Sequence, residues 1–153
     1  MKFIKPFVVF LIFNFGALGI GNWLMGNGAQ SDWYLKLNKA PWTPEGWVFG
    51  VAWLTVMFCF SIYMAQLWRR RPTFKVIILF VAQFILNISW NHFFFGLHWI
   101  DTALTIIVGL TIIISAFLLT YRKDLQLQSL FILPYLIWLF LATSLNLYAS
   151  IYN

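Results

Sequence analysis

The stretch Gly46–Trp68, GWVFGVAWLTVMFCFSIYMAQLW, runs for 23 residues without an Asp, Glu, Lys or Arg. A helix of about 20 apolar residues crosses the roughly 30 Å hydrocarbon core of a bilayer. Because backbone groups in lipid must pair within their own segment, such a run is expected to be an α-helix. The stretch therefore predicts a transmembrane helix, and the rest of the chain decides how many others join it.

The same pattern recurs along the chain. Four further runs of at least 20 residues lack these charged residues: Pro6–Ser31, Val76–Ile100, Thr102–Tyr121 and Leu125–Asn153. Their apolar residues are continuous, without the alternation typical of β-barrel strands. We therefore predict an all-α membrane protein, a single domain over residues 1–153 with five transmembrane helices at about 6–25, 46–68, 76–97, 102–121 and 128–150.

Composition and charge agree with a membrane protein. Of the 153 residues 62% are hydrophobic and 9% are charged, and the mean hydropathy is +0.83, whereas soluble domains carry about 25% charged residues. Eight of the ten basic residues fall on one side of the five-helix topology: Lys2, Lys5, Arg69, Arg70, Arg71, Lys75, Arg122 and Lys123. This positive-inside bias predicts a cytoplasmic N-terminus and a C-terminus outside. It also accounts for the net charge of +6 without nucleic acid as a partner.

The first apolar run, Pro6–Ser31, has two possible interpretations. A basic start followed by an apolar stretch is typical of a signal peptide and of a first transmembrane helix. The run continues to about Met25 and no A-x-A-like site follows it, so we expect a retained helix. Its small residues Gly16, Ala17, Gly19 and Gly21 allow close helix packing, either within the bundle or in a dimer.

The connector at about 26–45 is the longest of the chain, and its aromatic residues argue against disorder. We expect it to fold back on the bundle. Three helices present faces that combine aromatic, amide and small residues. These faces are Gln83, Asn87, Trp90, Asn91 and Phe94; Tyr135, Trp138, Ala142, Leu145 and Asn146; and Gly46, Phe49, Gly50, Trp53, Met57 and Phe60. For Trp53, Trp90 and Trp138, core packing and a ligand pocket are both open from the pattern alone.

Several kinds of chemistry have no support in the sequence. The middle of each predicted span lacks ionisable residues, which argues against ion-coupled transport. His92 and His98 have no second ligand at metal-binding spacing, so no metal site is predicted. Cys59 is expected to pack as a small hydrophobic residue.

Three blocks resemble the TspO/translocator protein family, the tryptophan-rich sensory proteins or peripheral-type benzodiazepine receptors. They are WYLKLNKAPWTPEGWVFGVAW from Trp33, QFILNISWNHFFFG from Gln83 and LPYLIWLFLATSLN from Leu133. The resemblance implies a bundle of five transmembrane helices, usually a homodimer, with a pocket that the first loop covers as a lid. It also implies porphyrins such as protoporphyrin IX, other flat hydrophobic molecules and, in animals, cholesterol as ligands.

Carried over by motif position, the resemblance implies these ligand-binding residues: Tyr34, Pro44, Trp53, Met57, Asn87, Trp90, Trp138, Ala142 and Leu145. Met57 stands where relatives often have an aromatic residue, which suggests a wider or softer pocket. Where the family has a Pro-Pro pair this chain has Pro44-Glu45, which adds an anion at the lid. Sterol specificity is not predicted, because the C-terminal cholesterol pattern of the animal proteins is missing.

Three functions remain in competition. The first is a membrane receptor or sensor for porphyrins, without a required cofactor, in a bacterial inner membrane. The second is enzymatic: light- and oxygen-dependent porphyrin degradation with Trp53 and Trp138 as electron donors and no other catalytic residue. The third is transport of tetrapyrroles or lipids, for which the sequence shows no inverted repeat or coupling-ion site.

Overall fold

The computed structural model describes residues 2–153 and is helical. Five long helices are joined by turns and by one connector that holds a short helix, α2. The helices are α1 (Ile4–Met25), α2 (Asp32–Lys36), α3 (Gly46–Arg70), α4 (Phe74–Asn91), α5 (Ile100–Leu125) and α6 (Leu133–Tyr152). No β-strand occurs within residues 2–153, so the all-helical prediction is confirmed.

Within the described residues, four helical stretches are long and apolar enough to cross a membrane: Ile4–Gln30, Gly46–Arg70, Phe74–Gly96 and Ile100–Tyr152. The last has 53 residues and contains both α5 and α6. Ser150, near the end of α6, donates a hydrogen bond to Asp101 at the start of α5. The two helices are therefore antiparallel neighbours, each long enough for a span of its own.

The five long helices close into a ring. α1 packs against α3 and α4, α5 packs against α4 and α6, and α3 packs against α6. The order around the ring is therefore α1, α3, α6, α5, α4. Apolar side chains such as Ile12, Ile112 and Ile137, each more than 60% exposed, cover the outside of the bundle, as expected of a surface that faces lipid.

The eight basic residues grouped by the sequence lie at one end of the ring. There the Arg71 guanidinium, just after α3, meets the Asp124 carboxylate near the end of α5 at 2.7 Å. The Asp124 carboxylate raises the pKa of Arg71 by accepting its hydrogen bond. The connector between α1 and α3 lies at the opposite end.

Along α3 the hydrophobic core occupies the half of the helix near the basic end. In α3 the buried residues begin at Val56, and none of residues 46–55 is buried. Phe60 and Tyr63 are fully enclosed, and the Tyr63 hydroxyl donates to the carbonyl oxygen of Phe117 at 2.9 Å. The half of the ring under the connector is left less filled.

The helix boundaries differ in detail from those predicted. α5 continues to Leu125, past the charged pair Arg122-Lys123, because charged side chains at a membrane surface do not end a helix. A 3₁₀-helical segment, Gln126–Ile132, then precedes α6, and its first residue, Gln126, has a positive φ of 51°. Pro134 lies in the first turn of α6, where proline is favoured. After α4 the chain forms a π-helical turn, His92–Gly96.

Candidate ligand-binding cavity

A cavity of about 820 Å³ lies between the helices at the connector end of the bundle. Its wall is built from α1, the connector, α3, the end of α4 with the π-helical turn, and α6. Cavities that hold small molecules have volumes of about 300–1,000 Å³ and are mainly apolar with a few polar groups. Both features suit a small-molecule site.

Seven of the nine residues named from the sequence lie on the cavity wall. They are Tyr34, Pro44, Trp53, Asn87, Trp90, Ala142 and Leu145. They come from the connector, α3, α4 and α6, so the fold brings together positions that are more than 100 residues apart.

The other two, Met57 and Trp138, lie outside the cavity wall. Met57 is 1% exposed within the hydrophobic core. The Trp138 ring stands edge-to-face against Trp53, with centroids 6.3 Å apart, and against Phe49 at 5.3 Å. Both of those neighbours line the cavity. Trp138 therefore supports the wall from behind, and within the described residues its Nε1 has no hydrogen-bond partner.

Hydrogen bonds from amide side chains fix the position of aromatic rings in and behind the cavity wall. The Trp90 Nε1–H donates to Asn146 Oδ1 at 2.9 Å, and Asn146 Nδ2 donates to the carbonyl oxygen of Ile100 at 3.0 Å. Asn87 Nδ2 donates to the Tyr135 hydroxyl at 2.8 Å. Each bond joins different helices, and buried polar groups are costly when unpaired. These bonds hold the rings in place whether or not the cavity is filled.

The π-helical turn presents aromatic rings to the connector. Phe94 stacks on Trp90 with centroids 5.0 Å apart, and Phe95 lies 5.3 Å from the ring of Tyr34. Trp33 packs edge-on to Phe94 at 5.5 Å and stacks on His98 at 4.1 Å with an angle of 9°. π-helical turns are often found at functional sites. This one ties the first part of the connector to the end of α4.

The second part of the connector is fastened to α6. The Trp42 Nε1–H donates to Ser144 Oγ at 3.1 Å, and the Trp42 ring packs edge-on to Tyr148 at 5.6 Å. The backbone of Asn38 exchanges two hydrogen bonds with the Asn153 side chain, at 2.8 and 3.1 Å. The connector is thus held at two places and spans the end of the cavity between them.

The short helix α2 carries Tyr34 to the cavity. Ser31 caps it by accepting a hydrogen bond from the Tyr34 backbone N–H at 3.2 Å, a usual arrangement at a helix start. Burial raises the pKa of the Tyr34 hydroxyl above its ordinary value. Tyr34 is therefore a neutral aromatic residue at physiological pH.

Three glycines of α1 and α3 lie on the cavity wall. Gly19, Gly46 and Gly50 line the cavity, and a Cβ added to any of them would meet no atom within 4 Å. All three are exposed, so there is room for a larger group beside them. Gly21 differs, because its added Cβ would lie 2.7 Å from Asn91 Nδ2. Of the small residues of α1, Ala17 and Gly21 are thus buried within the bundle, while Gly16 and Gly19 are not.

Few charged groups lie on the wall. Lys39 is its one charged residue among those described. Within residues 2–153 no three His, Cys, Asp or Glu side chains are close enough to hold a metal ion. The arrangement is suited to hold a largely apolar molecule against aromatic rings.

The sequence placed Phe94 of the π-helical turn on a predicted face, but it did not reveal the contribution of α1 or of Phe95. Phe15, Leu18 and Asn22 from α1 and Phe95 from the turn line the cavity. The apolar residues of α1 show no periodicity, and only Asn14 and Asn22, eight residues apart on one helix face, mark its inner side. Phe95 lies where the π-helical turn departs from the 3.6-residue period, and only the repeated phenylalanines of Phe93–Phe95 hint at an aromatic cluster.

Several known proteins are similar in sequence to most of this chain. The family model described as TspO/MBR family matches residues 8–152. The chain is 30% identical to the tryptophan-rich sensory protein of Cereibacter sphaeroides, covering 80% of this chain and 77% of that protein. It is 30% identical to the tryptophan-rich protein TspO of Archaeoglobus fulgidus, covering 85% and 86%. It is 29% identical to the human translocator protein, covering 78% and 74%.

Proposed function

Because the chain belongs to the TspO/MBR family, we propose that this integral membrane protein is a receptor or sensor for porphyrins such as protoporphyrin IX and for related flat hydrophobic molecules. The observation that carries the proposal is the cavity of about 820 Å³ bounded by Trp53, Trp90 and Tyr34. Its aromatic wall, apolar interior and lid match the chemistry of a planar macrocycle.

Aromatic rings on the wall supply the binding free energy. Stacked or edge-to-face ring pairs contribute about 0.5–1.5 kcal/mol beyond the burial of their surface. Trp90 and Phe94 already stack on each other, and hydrogen bonds hold Trp90 in place. A preorganised wall loses little side-chain entropy when a ligand arrives. Two or three ring contacts together with burial support a dissociation constant of about 1 μM or below.

A titration of tryptophan fluorescence with protoporphyrin IX, in detergent, tests the proposal. Gly50→Leu places a side chain in the cavity, and Gly16→Leu is its matched control. Both glycines lie within a helix next to open space, but only Gly50 lines the cavity. We expect Gly50→Leu to weaken binding at least about tenfold, a loss of about 1.4 kcal/mol, and Gly16→Leu to bind like the parent. Equal affinities for all three proteins would contradict the proposed site.

We propose the topology with the N-terminus in the cytoplasm and the C-terminus outside. The eight basic residues at one end of the bundle support it, because basic residues are retained on the cytoplasmic side. The lid would then lie on the outer side of a bacterial inner membrane. Reporter fusions after Asn153 and within residues 71–73 test the orientation. Activity of a cytoplasm-dependent reporter fused after Asn153 would overturn the proposed topology.

We also propose a homodimer within the lipid bilayer, as the family resemblance implies. The outer surface of the bundle is apolar and is suited to contact either lipid or a second copy. Crosslinking in native membranes, followed by measurement of the mass of the crosslinked protein, tests the homodimer. The mass of a single copy alone would contradict it.

Light-driven degradation of a bound porphyrin is the second candidate function. It is favoured by the contact between Trp53 on the wall and Trp138 behind it, 6.3 Å between ring centroids, because adjacent indoles suit electron donation to an excited macrocycle. Illumination of the protein with protoporphyrin IX in the presence of oxygen should give a new absorbing product. A rate of bleaching equal to that with albumin would exclude this function.

A further inference from the structure

Lys39 places a positive charge on a cavity wall that is otherwise uncharged among the described lining residues. The side chain is half-buried and lies in the connector between α2 and α3. No Asp or Glu is among the lining residues described. The nearest acid along the connector, Glu45, is exposed and accepts a hydrogen bond from Trp47 Nε1 at 2.8 Å.

The Lys39 ammonium has fewer partners than donors. Its Nζ donates to the carbonyl oxygen of Tyr34 at 2.8 Å and, at the limit of 3.5 Å, to that of Leu35. It also lies 4.7 Å from the centre of the Tyr34 ring, within the range of a cation–π contact. An ammonium has three N–H donors, so at least one is left for a ligand beside Tyr34.

A neutral ligand would make this arrangement costly. A molecule that fills the cavity removes water from its wall, and a charged group that loses water without gaining a partner is destabilised. A ligand with a carboxylate at its lid end would instead accept a charge-assisted hydrogen bond from Nζ, which is stronger than a bond between neutral groups. The position of the charge therefore favours an anionic edge on an otherwise apolar ligand.

We propose that Lys39 is a specificity-determining residue that selects planar ligands bearing a carboxylate and orients them with the carboxylate toward the lid. This inference rests on the proposed function and deepens it, because it distinguishes acidic macrocycles from neutral ones in the same cavity. Protoporphyrin IX, with two propionate groups on one edge, has this chemistry. Its dimethyl ester has the same macrocycle without the charges.

A purely structural role for Lys39 makes a different prediction. Its two carbonyl partners are near the C-terminus of α2, where a lysine stabilises the helix end. If stabilising the helix end were the whole role of Lys39, its loss would loosen the lid and weaken the binding of acidic and neutral ligands equally. The ratio of the two affinities therefore separates ligand recognition from lid stability.

The experiment measures the dissociation constants of protoporphyrin IX and of its dimethyl ester for the parent, Lys39→Met and Lys36→Met in one detergent. Lys36 is the matched control, since it lies in the same connector but is exposed and is not on the cavity wall. We expect Lys39→Met to reduce the preference for the acid over the ester by about fivefold, the size expected of one half-exposed ion pair. Lys36→Met should leave that preference unchanged.

Two further variants keep the inference falsifiable. Lys39→Arg should retain the preference for the acid because it retains the charge. Lys39→Gln, which keeps hydrogen-bond donors for the two carbonyls, should lose the preference even if Lys39→Met does not fold. An unchanged ratio in Lys39→Gln would overturn the inference while leaving the proposed function intact. If neither compound binds the parent in the cavity, the proposed function itself fails.

Discussion

The Trp90 indole donates a hydrogen bond to the Asn146 side chain at 2.9 Å, which joins α4 to α6 in the cavity wall. Asn146 passes the link on to α5 through the carbonyl oxygen of Ile100. One amide therefore connects three helices and sets the angle at which an indole faces the cavity. The Trp90 indole, which we propose as a stacking surface, is therefore a fixed part of the bundle.

We predict that Asn146→Ala lowers both stability and ligand affinity. The change leaves the Trp90 N–H without its acceptor and removes the link to Ile100. Hydrogen bonds between helices in membranes contribute about 0.6 kcal/mol on average and up to about 1.7, so we expect a loss of about 1–2 kcal/mol. Unfolding in mixed detergent measures it. Thr105→Ala, whose hydroxyl bonds only within its own helix, is the control, and equal stability of the two variants would contradict the role given to Asn146.

Gly21 and Gly16 on α1 should differ in how well they tolerate a larger side chain. A Cβ at Gly21 would lie 2.7 Å from Asn91 Nδ2, whereas a Cβ at Gly16 would meet open space. We expect Gly21→Leu to separate α1 from α4 at a cost of about 1–3 kcal/mol, as in overpacked cores. Gly16→Leu should leave the thermal unfolding temperature nearly unchanged. Similar shifts for both variants would show that α1 does not pack against α4 as described.

The lid should release ligand faster when its first attachment is lost. Trp33 stacks on His98 and packs edge-on to Phe94, so Trp33→Ala removes both contacts. We predict a rise of about tenfold in the dissociation rate of protoporphyrin IX, which corresponds to about 1.4 kcal/mol of lost lid contacts. Stopped-flow fluorescence measures this rate.

Trp47→Ala serves as the control for the lid, because Trp47 is 68% exposed and bonds only to the nearby Glu45. Its dissociation rate should match that of the parent. If Trp33→Ala also releases ligand at the parental rate, the connector does not act as a lid.

Hydropathy and periodicity predicted the helices and much of the cavity wall. Five charge-free runs correspond to the five long helices, because the length of a membrane span is set by the bilayer. The helical period also grouped Trp90 with Asn87 and Ala142 with Leu145, and all four lie on the wall. Family membership, inferred from the motifs, is confirmed by the match over residues 8–152.

The helical period of the sequence could not predict how deep in the bundle each side chain lies. Met57 lies one turn beyond Trp53, and Trp138 lies one turn before Ala142, on the same helix faces. In the structure the core closes at this level, so Met57 and Trp138 pack in the interior while Trp53 and Ala142 face the cavity. A sequence pattern gives the direction of a side chain but not the level at which the core ends.

An experimental structure of the protein with protoporphyrin IX would show whether a planar macrocycle occupies the cavity beneath the lid. We predict the macrocycle between α3, α4 and α6, in contact with Trp53 and Trp90 and with a carboxylate at Lys39. A macrocycle bound on the lipid-facing surface of the bundle, with the cavity unfilled, would contradict the account.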